Sequence, residues 1–540
     1  MMIEQRPIQR DPLFWLTMLA GGLVLALTLW NGIGVDSAII SYCSWVWKHY
    51  GLPPYVGCKE ADYPGIFILH RLALLFGENA LGFRIFDFLV QLNCLVLIYW
   101  LTRKLSGQSL AGVLAGLFYA AYYFGLDFSM QGEREGFVFW LMLIATALSL
   151  QLKRSPALRN WLVGSLAGFI FLIKPTFGLL WPLFGAWLIL DNAGSSGPAL
   201  RKALGNFLFG CFWPGFAVVL YYFASGHLRE LYEVPVYFMF KVYTRFPVYV
   251  ATGAAPYSSF VKLNYLTMGP YLLKLMVREY PLVLGGAVLL WLQMVAGKLK
   301  PARNIFWLLV SLLVVSLVSA YLQKGIWNYH RIPFWGLMTI FAGAGWAGIL
   351  ERVRGDKQVL VRELARTLAA MALVGWMLWS AGPALWSFAW HYSFRSVKNA
   401  HRHQYPIMEN AAELVQSLVP PDQEIAYFGQ TSMLPFLMLR KLVSPFPFTI
   451  HLYETFEDGT MSPLQHRWRR KYNSSFKKKK PRVFVFDTTC LFCSDPDLKP
   501  IFRAYCPEIA QALERDYSLV EKIGMIEIYL RQEGQDQPTP

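Results

Sequence analysis

Apolar runs separated by short polar stretches recur along the first 390 residues of this 540-residue chain. A hydrocarbon core of about 30 Å takes about 20 helical residues to cross. Runs of that order lie at 13–32, 83–102, 109–125, 136–152, 160–174, 176–191, 204–224, 280–297, 304–322, 332–350 and 367–389. They predict about eleven membrane-spanning helices. The first, with no small-residue cleavage site after it, reads as a retained helix rather than a leader. Past residue 390 the period changes. "NAAELVQSLV" reads as a helix, "EIAYFG" and "RVFVFDT" as strands, "LKPIFRAYCPEIAQALERDY" as a helix and "MIEIYLR" as a last strand. Alternating elements of this kind predict a small α/β domain. The expected organisation is therefore an α-helical polytopic membrane domain over 1–389 and an α/β domain over 390–540. The closing "EGQDQPTP" is too polar to fold.

Charge gives the orientation. With the N-terminus inside, the short inner loops hold Arg103 and Lys104, then Lys153, Arg154 and Arg159, then Arg201 and Lys202, then Lys298, Lys300 and Arg303. The last holds Arg352, Arg354, Lys357, Arg362 and Arg366. All are basic, as the positive-inside rule requires. An odd number of spans then places the C-terminal domain outside. The formal net charge of +16 is explained by these loops and gives no reason to invoke nucleic acid. Composition agrees, with 55% hydrophobic and only 16% charged residues, well short of the quarter usual in soluble domains. The setting fits a bacterial inner membrane with a periplasmic outer face.

Three outer segments are long: 33–82, 225–279 and the tail. The first holds Cys43 and Cys58, which an oxidising compartment can join into a disulfide. Cys490 and Cys493 make a CxxC in the tail that, without a second such pair, reads as a simple disulfide or free thiols. Lys477–Lys480 reads as a solvated loop, with an anionic-lipid or acceptor contact as the lesser reading.

Charges at helix mouths are costly, so each is a functional candidate. Asp36 follows the first span in "LWNGIGVDSAII", and Asp62 stands in "KEADYPGIF". Glu133, Arg134 and Glu135 open the fourth span, and Lys174 closes the fifth in "FLIKPTFG". Lys324, His330 and Arg331 lie in "YLQKGIWNYHRIPFW". Singly, each has a plain explanation. Asp36 can cap a helix beginning at Ser37, and Asp62 can be a turn residue. The 133–135 trio can be a local ion cluster, Lys174 and Arg331 can snorkel, and His330 can be an interfacial aromatic. Jointly they put carboxylates and cations on the same outer face, where they can converge on one cavity.

Hydrolysis of a glycosidic bond needs two carboxylates, one of them a general acid. Transfer from a sugar phosphate needs no strong acid, because phosphate already leaves well. One carboxylate takes the acceptor's proton, and Lys and Arg stabilise the charge that develops on phosphate. One mouth carboxylate with several scattered cations suits the second chemistry.

An Asp shortly after the first helix, followed by a long amphipathic outer loop, resembles the GT-C glycosyltransferases. The likeness is to the branch containing protein O-mannosyltransferases and lipid A aminoarabinose transferases. The elements that carry it are Asp62-Tyr63-Pro64-Gly65, "LALLFG" to Gly77, Arg84, Lys174-Pro175 and Tyr329-His330-Arg331-Ile332-Pro333. The resemblance implies a membrane glycosyltransferase moving a sugar, with inversion, from a polyprenyl-phosphate donor to a glycan, lipid or protein acceptor on the outer side. It makes Asp36 the base and Lys174 and Arg331 donor-phosphate contacts, with Lys324 and Arg134 assisting. It makes Asp62 a metal or acceptor-site ligand, with Glu133, Glu135 and His330 as further candidates. Metal dependence varies in this superfamily and stays open. Two departures stand out: Tyr63-Pro64-Gly65 replaces the usual Lys-Pro-Pro, and Glu133 and Glu135 stand where relatives show Asp. A transporter or lipid flippase, which would favour internal repeats and midplane charges, and a non-catalytic envelope-assembly partner are the alternative readings.

Overall fold

The computed structural model describes residues 7–152, 154–192, 196–246, 249–251, 260–262, 280–323, 327–355, 405–456, 458–488 and 497–532. Each apolar run up to residue 350 is a helix. Pro12–Trp30, Ala80–Ser106, Pro156–Ile173, Gly197–Ala224, Arg303–Leu322 and Asn328–Glu351 are long and apolar enough to cross a membrane. Ser109–Gly125, Pro175–Asp191 and Pro281–Val295 are shorter apolar helices, and the fourth run forms Arg134–Gln151. The run at 367–389 lies outside the described residues. The chain is a multi-span membrane protein.

Two compact units are formed. The first comprises Met1–Asn31, Arg84–Val218 and Asn264–Trp390; the second comprises Gly32–Phe83, Val219–Leu263 and His391–Pro540. The first outer segment, and the second as far as Leu263, thus belong with the tail.

The first unit is built on α1 (Pro12–Ala26), α4 (Ala80–Ser106), α5 (Ser109–Gly125), α6 (Arg134–Gln151), α7 (Pro156–Ile173), α8 (Leu180–Asp191) and α9 (Gly197–Ala224), with the later apolar helices beside them. Between α7 and α9 the backbones touch: a Cβ added at Gly164 or Gly168 would meet the carbonyl oxygens of Phe207 and Cys211. Small residues at such seams give membrane helices the contact area that a hydrophobic effect cannot supply inside lipid.

The second unit holds a short antiparallel pair, β1 (Tyr249–Ala251) with β2 (Phe260–Lys262). Its main sheet has the order β3-β4-β6-β5, with β3 (Ala426–Phe428), β4 (Val483–Asp487), β5 (Tyr517–Ile523) and β6 (Ile526–Arg531). β3 and β4 are parallel and the other pairs antiparallel. Helices α2 (Val35–Tyr50) and α3 (Pro64–Ala73) come from the first outer segment, and α2 binds to the tail through hydrogen bonds. The Tyr42 hydroxyl donates to the Arg440 carbonyl (3.2 Å) and accepts from Leu442 N–H (2.9 Å). Ser432 Oγ donates to the Val35 carbonyl (2.9 Å). Cys43 and Cys58 form a disulfide with a Cα–Cα distance of 5.1 Å, tying α2 to the turn ahead of α3.

Two expectations for the tail are corrected, and one strand is added. Lys477–Lys479 form the last turn of the helix Pro463–Lys479 rather than a loop. A capping box, Ser462 with Gln465, starts that helix; Leu464, Trp468, Tyr472 and Phe476 bury one stripe of it; and cations suit its C-terminal end. The single helix expected over 498–517 is two, Lys499–Tyr505 and Pro507–Asp516. Pro507 lacks an amide hydrogen and keeps Cys506 out of helical geometry. β5 is a strand that the sequence pattern does not announce, because five consecutive exposed residues give it no alternation. Cys490 and Cys493 lie outside the described residues.

Candidate functional site

Three helix ends in the first unit supply most of the predicted polar residues. α6 starts two residues after Gly132, whose φ of 73° makes the turn that a side chain would strain. Glu133 is its N-cap position and Arg134 its first residue. α7 stops at Ile173 because Lys174 is extended (φ −150°, ψ 97°) ahead of Pro175. A 3-10 turn, Asn328–Arg331, leads into the helix Ile332–Gly355 and brings Tyr329, His330 and Arg331.

These ends converge on Glu135, whose side chain is fully buried. Lys174 Nζ is 3.0 Å from its carboxylate, and His330 Nε2 is 3.9 Å away. Arg134 lies 3.9 Å from the Glu133 carboxylate. Its guanidinium also donates to the Tyr329 hydroxyl (3.4 Å) and sits 5.8 Å from that ring's centre. Arg331 donates to Asn328 Oδ1 at 2.5 Å. Buried Glu135 thus faces Lys174 and His330, buried Glu133 faces Arg134, and buried Arg331 stands on the turn that carries His330. A phosphate has oxygens that Lys and Arg bind with charge-assisted hydrogen bonds. His330 Nδ1 is buried with no hydrogen-bond partner among the described residues.

A second layer of residues, of which the sequence singled out only Arg84, fixes the loop ahead of Glu133. Arg84 donates to the carbonyls of Phe128 (2.8 Å) and Gln131 (3.2 Å) and lies 3.7 Å from Asp87. Asp87 accepts from Tyr123 (2.8 Å) and Gln91 (2.9 Å). Gln131 accepts from Asn31 (2.8 Å), and Tyr123 takes the Gly132 amide (2.7 Å). The side chains in this layer, Asn31 excepted, are buried. A signal existed: Arg84, Asp87 and Gln91 recur at three- and four-residue spacing in an otherwise apolar helix.

Asp36 and Asp62 lie in the second unit. Asp36 is half-buried in the first turn of α2. It is not the cap: α2 begins at Val35 with Gly34 in the N-cap position, so the expected start at Ser37 is corrected. A carboxylate there faces the positive end of the helix dipole. Asp62 is buried just ahead of α3, and the Tyr55 hydroxyl donates to its carbonyl (2.7 Å). Among the described residues no three His, Cys, Asp or Glu gather in a way that would hold a metal ion. Lys324 lies outside the described residues.

Glu233, in a π-helical turn Glu233–Phe238 of the second outer segment, is another unanticipated hub. It accepts from Trp468 Nε1 (2.8 Å) and pairs with Arg467 (3.1 Å) and with buried Lys59 (3.4 Å). Burial alone would raise its pKa, but Trp468, Lys59 and Arg467 outweigh that and hold it below the ordinary value of 4.5. Burial pulls Lys59 below 10.5 despite the attraction of Glu233.

Residues 64–222 match the family described as dolichyl-phosphate-mannose-protein mannosyltransferase. No curated protein matches the sequence. Among solved structures, ArnT from Cupriavidus metallidurans bound to undecaprenyl phosphate superposes with a TM-score of 0.56 at 13% identity. That alignment covers 97% of this chain and 99% of that one. An oligosaccharyltransferase from Archaeoglobus fulgidus, tethered with an acceptor peptide containing the NVT sequon via a disulfide bond, gives 0.51 at 9% identity over 97% of this chain and 74% of that one. At such identities the likeness shows the fold. The chain has the GT-C fold and resembles the O-mannosyltransferase and ArnT branch, as its sequence suggested.

Proposed function

We propose that this protein is a glycosyltransferase that takes a sugar from a polyprenyl-phosphate donor and passes it to a hydroxyl acceptor on the outer side of the membrane. The observation that carries the reading is the convergence in the first unit of three cations, Lys174, Arg134 and Arg331, around the buried carboxylates Glu133 and Glu135. It supplies the charge that a lipid-linked phosphate needs. The family match at residues 64–222 includes Arg134 and Lys174, and the fold is shared with a protein solved with undecaprenyl phosphate bound.

In the proposed step the acceptor oxygen attacks the anomeric carbon from the face opposite the phosphate. The new C–O bond forms as the bond to the phosphate oxygen breaks, so the configuration inverts. Asp36 takes the hydroxyl proton. The polyprenyl phosphate leaves as an anion, with Lys174 and Arg331, aided by Arg134, stabilising the charge that it gains. Glu135 and His330 orient Lys174, and Glu133 orients Arg134.

The test is Asp36→Asn, assayed in proteoliposomes with labelled polyprenyl-phosphate sugars against an extract of envelope acceptors. Transfer is expected to fall by at least about a thousandfold while expression and thermal stability hold. Turnover near that of the wild type would remove Asp36 as the base.

A further inference from the structure

The helix Pro463–Lys479 carries charge that the proposed transfer does not use. Residues 463–482 include Arg467, Arg469–Lys471, Lys477–Lys480 and Arg482 and contain no Asp or Glu. One side of the helix is fixed by the capping box and the buried stripe of Leu464, Trp468, Tyr472 and Phe476. The opposite side therefore has a set orientation on this unit. Positions 467, 470, 471, 474 and 478 recur on it at three- and four-residue spacing, and all are exposed. At a rise of about 1.5 Å per residue their row is about 16 Å long.

Carboxylates reach only part of this charge. Arg467 pairs with Glu233 at 3.1 Å, Lys477 with Glu508 at 2.6 Å and Lys479 with Glu424 at 3.2 Å. Arg470, Lys471 and Lys478 meet no carboxylate among the described residues. Arg467 lies three and four residues from Arg470 and Lys471, a spacing at which like charges on a helix repel, and an external anion over the row would relieve this. Chain connectivity indicates which anion is at hand. The two unit borders at 83/84 and 218/219 fall inside α4 and α9, both apolar enough to span, so this unit is tethered to a bilayer by continuous helices.

We propose that the exposed face of the helix Pro463–Lys479 docks on the anionic phospholipid head groups of the bilayer that the protein spans. A phosphodiester is a compact anion that Arg and Lys both bind. Each such cation brought to an anionic surface strengthens association roughly fivefold, so Arg470, Lys471 and Lys478 together supply roughly a hundredfold. The tether makes the contact intramolecular in effect, which lets so modest a gain populate the docked state.

The test uses the full chain in nanodiscs of phosphatidylcholine, alone or with about one third phosphatidylglycerol. Lysines are acetylated with an uncharged reagent and their rates read by mass spectrometry. Lys471 and Lys478 are expected to react at least about fivefold more slowly in the anionic discs at low salt. The difference should vanish at about 0.5 M NaCl, where charges are screened within a few ångströms. Lys522, exposed on the same unit, is the reference and should not change. R470Q, an exposed substitution outside the proposed transfer machinery, should weaken the protection roughly fivefold. Equal rates at Lys471 and Lys478 in the two discs would overturn the proposal. So would equal slowing at Lys522, which would mean a general surface-potential effect. Protection produced in neutral discs by inorganic phosphate alone would also overturn it, making the face a free-anion site.

Discussion

Replacing Arg84 by Gln removes a guanidinium whose side chain, like that of Asp87, is wholly buried. Asp87 would keep Tyr123 and Gln91 as donors but lose the positive charge 3.7 Å away. At an effective dielectric of about 20, two unit charges at that separation interact by about 4 kcal/mol. Breaking a buried pair on one side costs about 3–5 kcal/mol, because the orphaned charge remains in place. Solvent screening cannot soften this figure, since neither side chain is accessible. The carbonyls of Phe128 and Gln131 also lose their donor, and that loss reaches the loop which sets Glu133, Arg134 and Glu135.

The assay is unfolding in mixed micelles titrated with SDS, followed by tryptophan fluorescence, for Arg84→Gln, Asp87→Asn and the double variant. Each single change is expected to destabilise by about 3–5 kcal/mol. The double variant removes both charges and should fall short of the sum by about 3 kcal/mol or more. Turnover should drop with Arg84→Gln even at temperatures where the variant stays folded, since the misplaced groups are those proposed to hold phosphate. Additivity within about 0.5 kcal/mol, or single variants costing under about 1 kcal/mol, would refute the assignment of the pair as the brace of this loop.

Lys174→Met should lower kcat/KM for the polyprenyl-phosphate sugar by about a hundredfold, with Lys174→Arg partly active; steady-state kinetics on folded protein decides it. Removing the Cys43–Cys58 disulfide, by reduction or as a double Ser variant, should destabilise the second unit by about 3 kcal/mol for a closed loop of this length, read as a lower thermal midpoint. Glu233 has a folded pKa below its unfolded one, so its contribution is fully present above about 4.5 and is lost as pH falls through the lower folded value. Stability profiles of wild type and Glu233→Gln should therefore converge on acidification, and a constant gap down to pH about 3 would contradict the geometry around Trp468 and Lys59.

What could be read from the sequence divides by the range of the interaction that decides each feature. A membrane helix is a local statement: some 20 apolar residues must bury their own backbone polarity wherever they pack, so the spans up to residue 350 are legible with ends wrong by a few residues. Asp36 shows the limit of that accuracy. Its presence at the mouth is plain, but the choice of Gly34 over Asp36 as the cap is made by a half-turn of backbone that no periodicity records. The buried cluster shows a second limit. Its members are legible because each charge is costly where it stands, yet nothing in the sequence says that Lys174 faces Glu135 while Arg134 turns to Tyr329, since these pairs join segments 39 and 195 residues apart. The helix Pro463–Lys479 escapes a sequence reading for the opposite reason. Its charges dominate the local pattern, and the stripe of Leu464, Trp468, Tyr472 and Phe476 that makes it a helix lies between them. Arg84 joins the two cases. The sequence offers it only as part of a family likeness, whereas its contacts make it the support of a loop whose own charges are the more conspicuous.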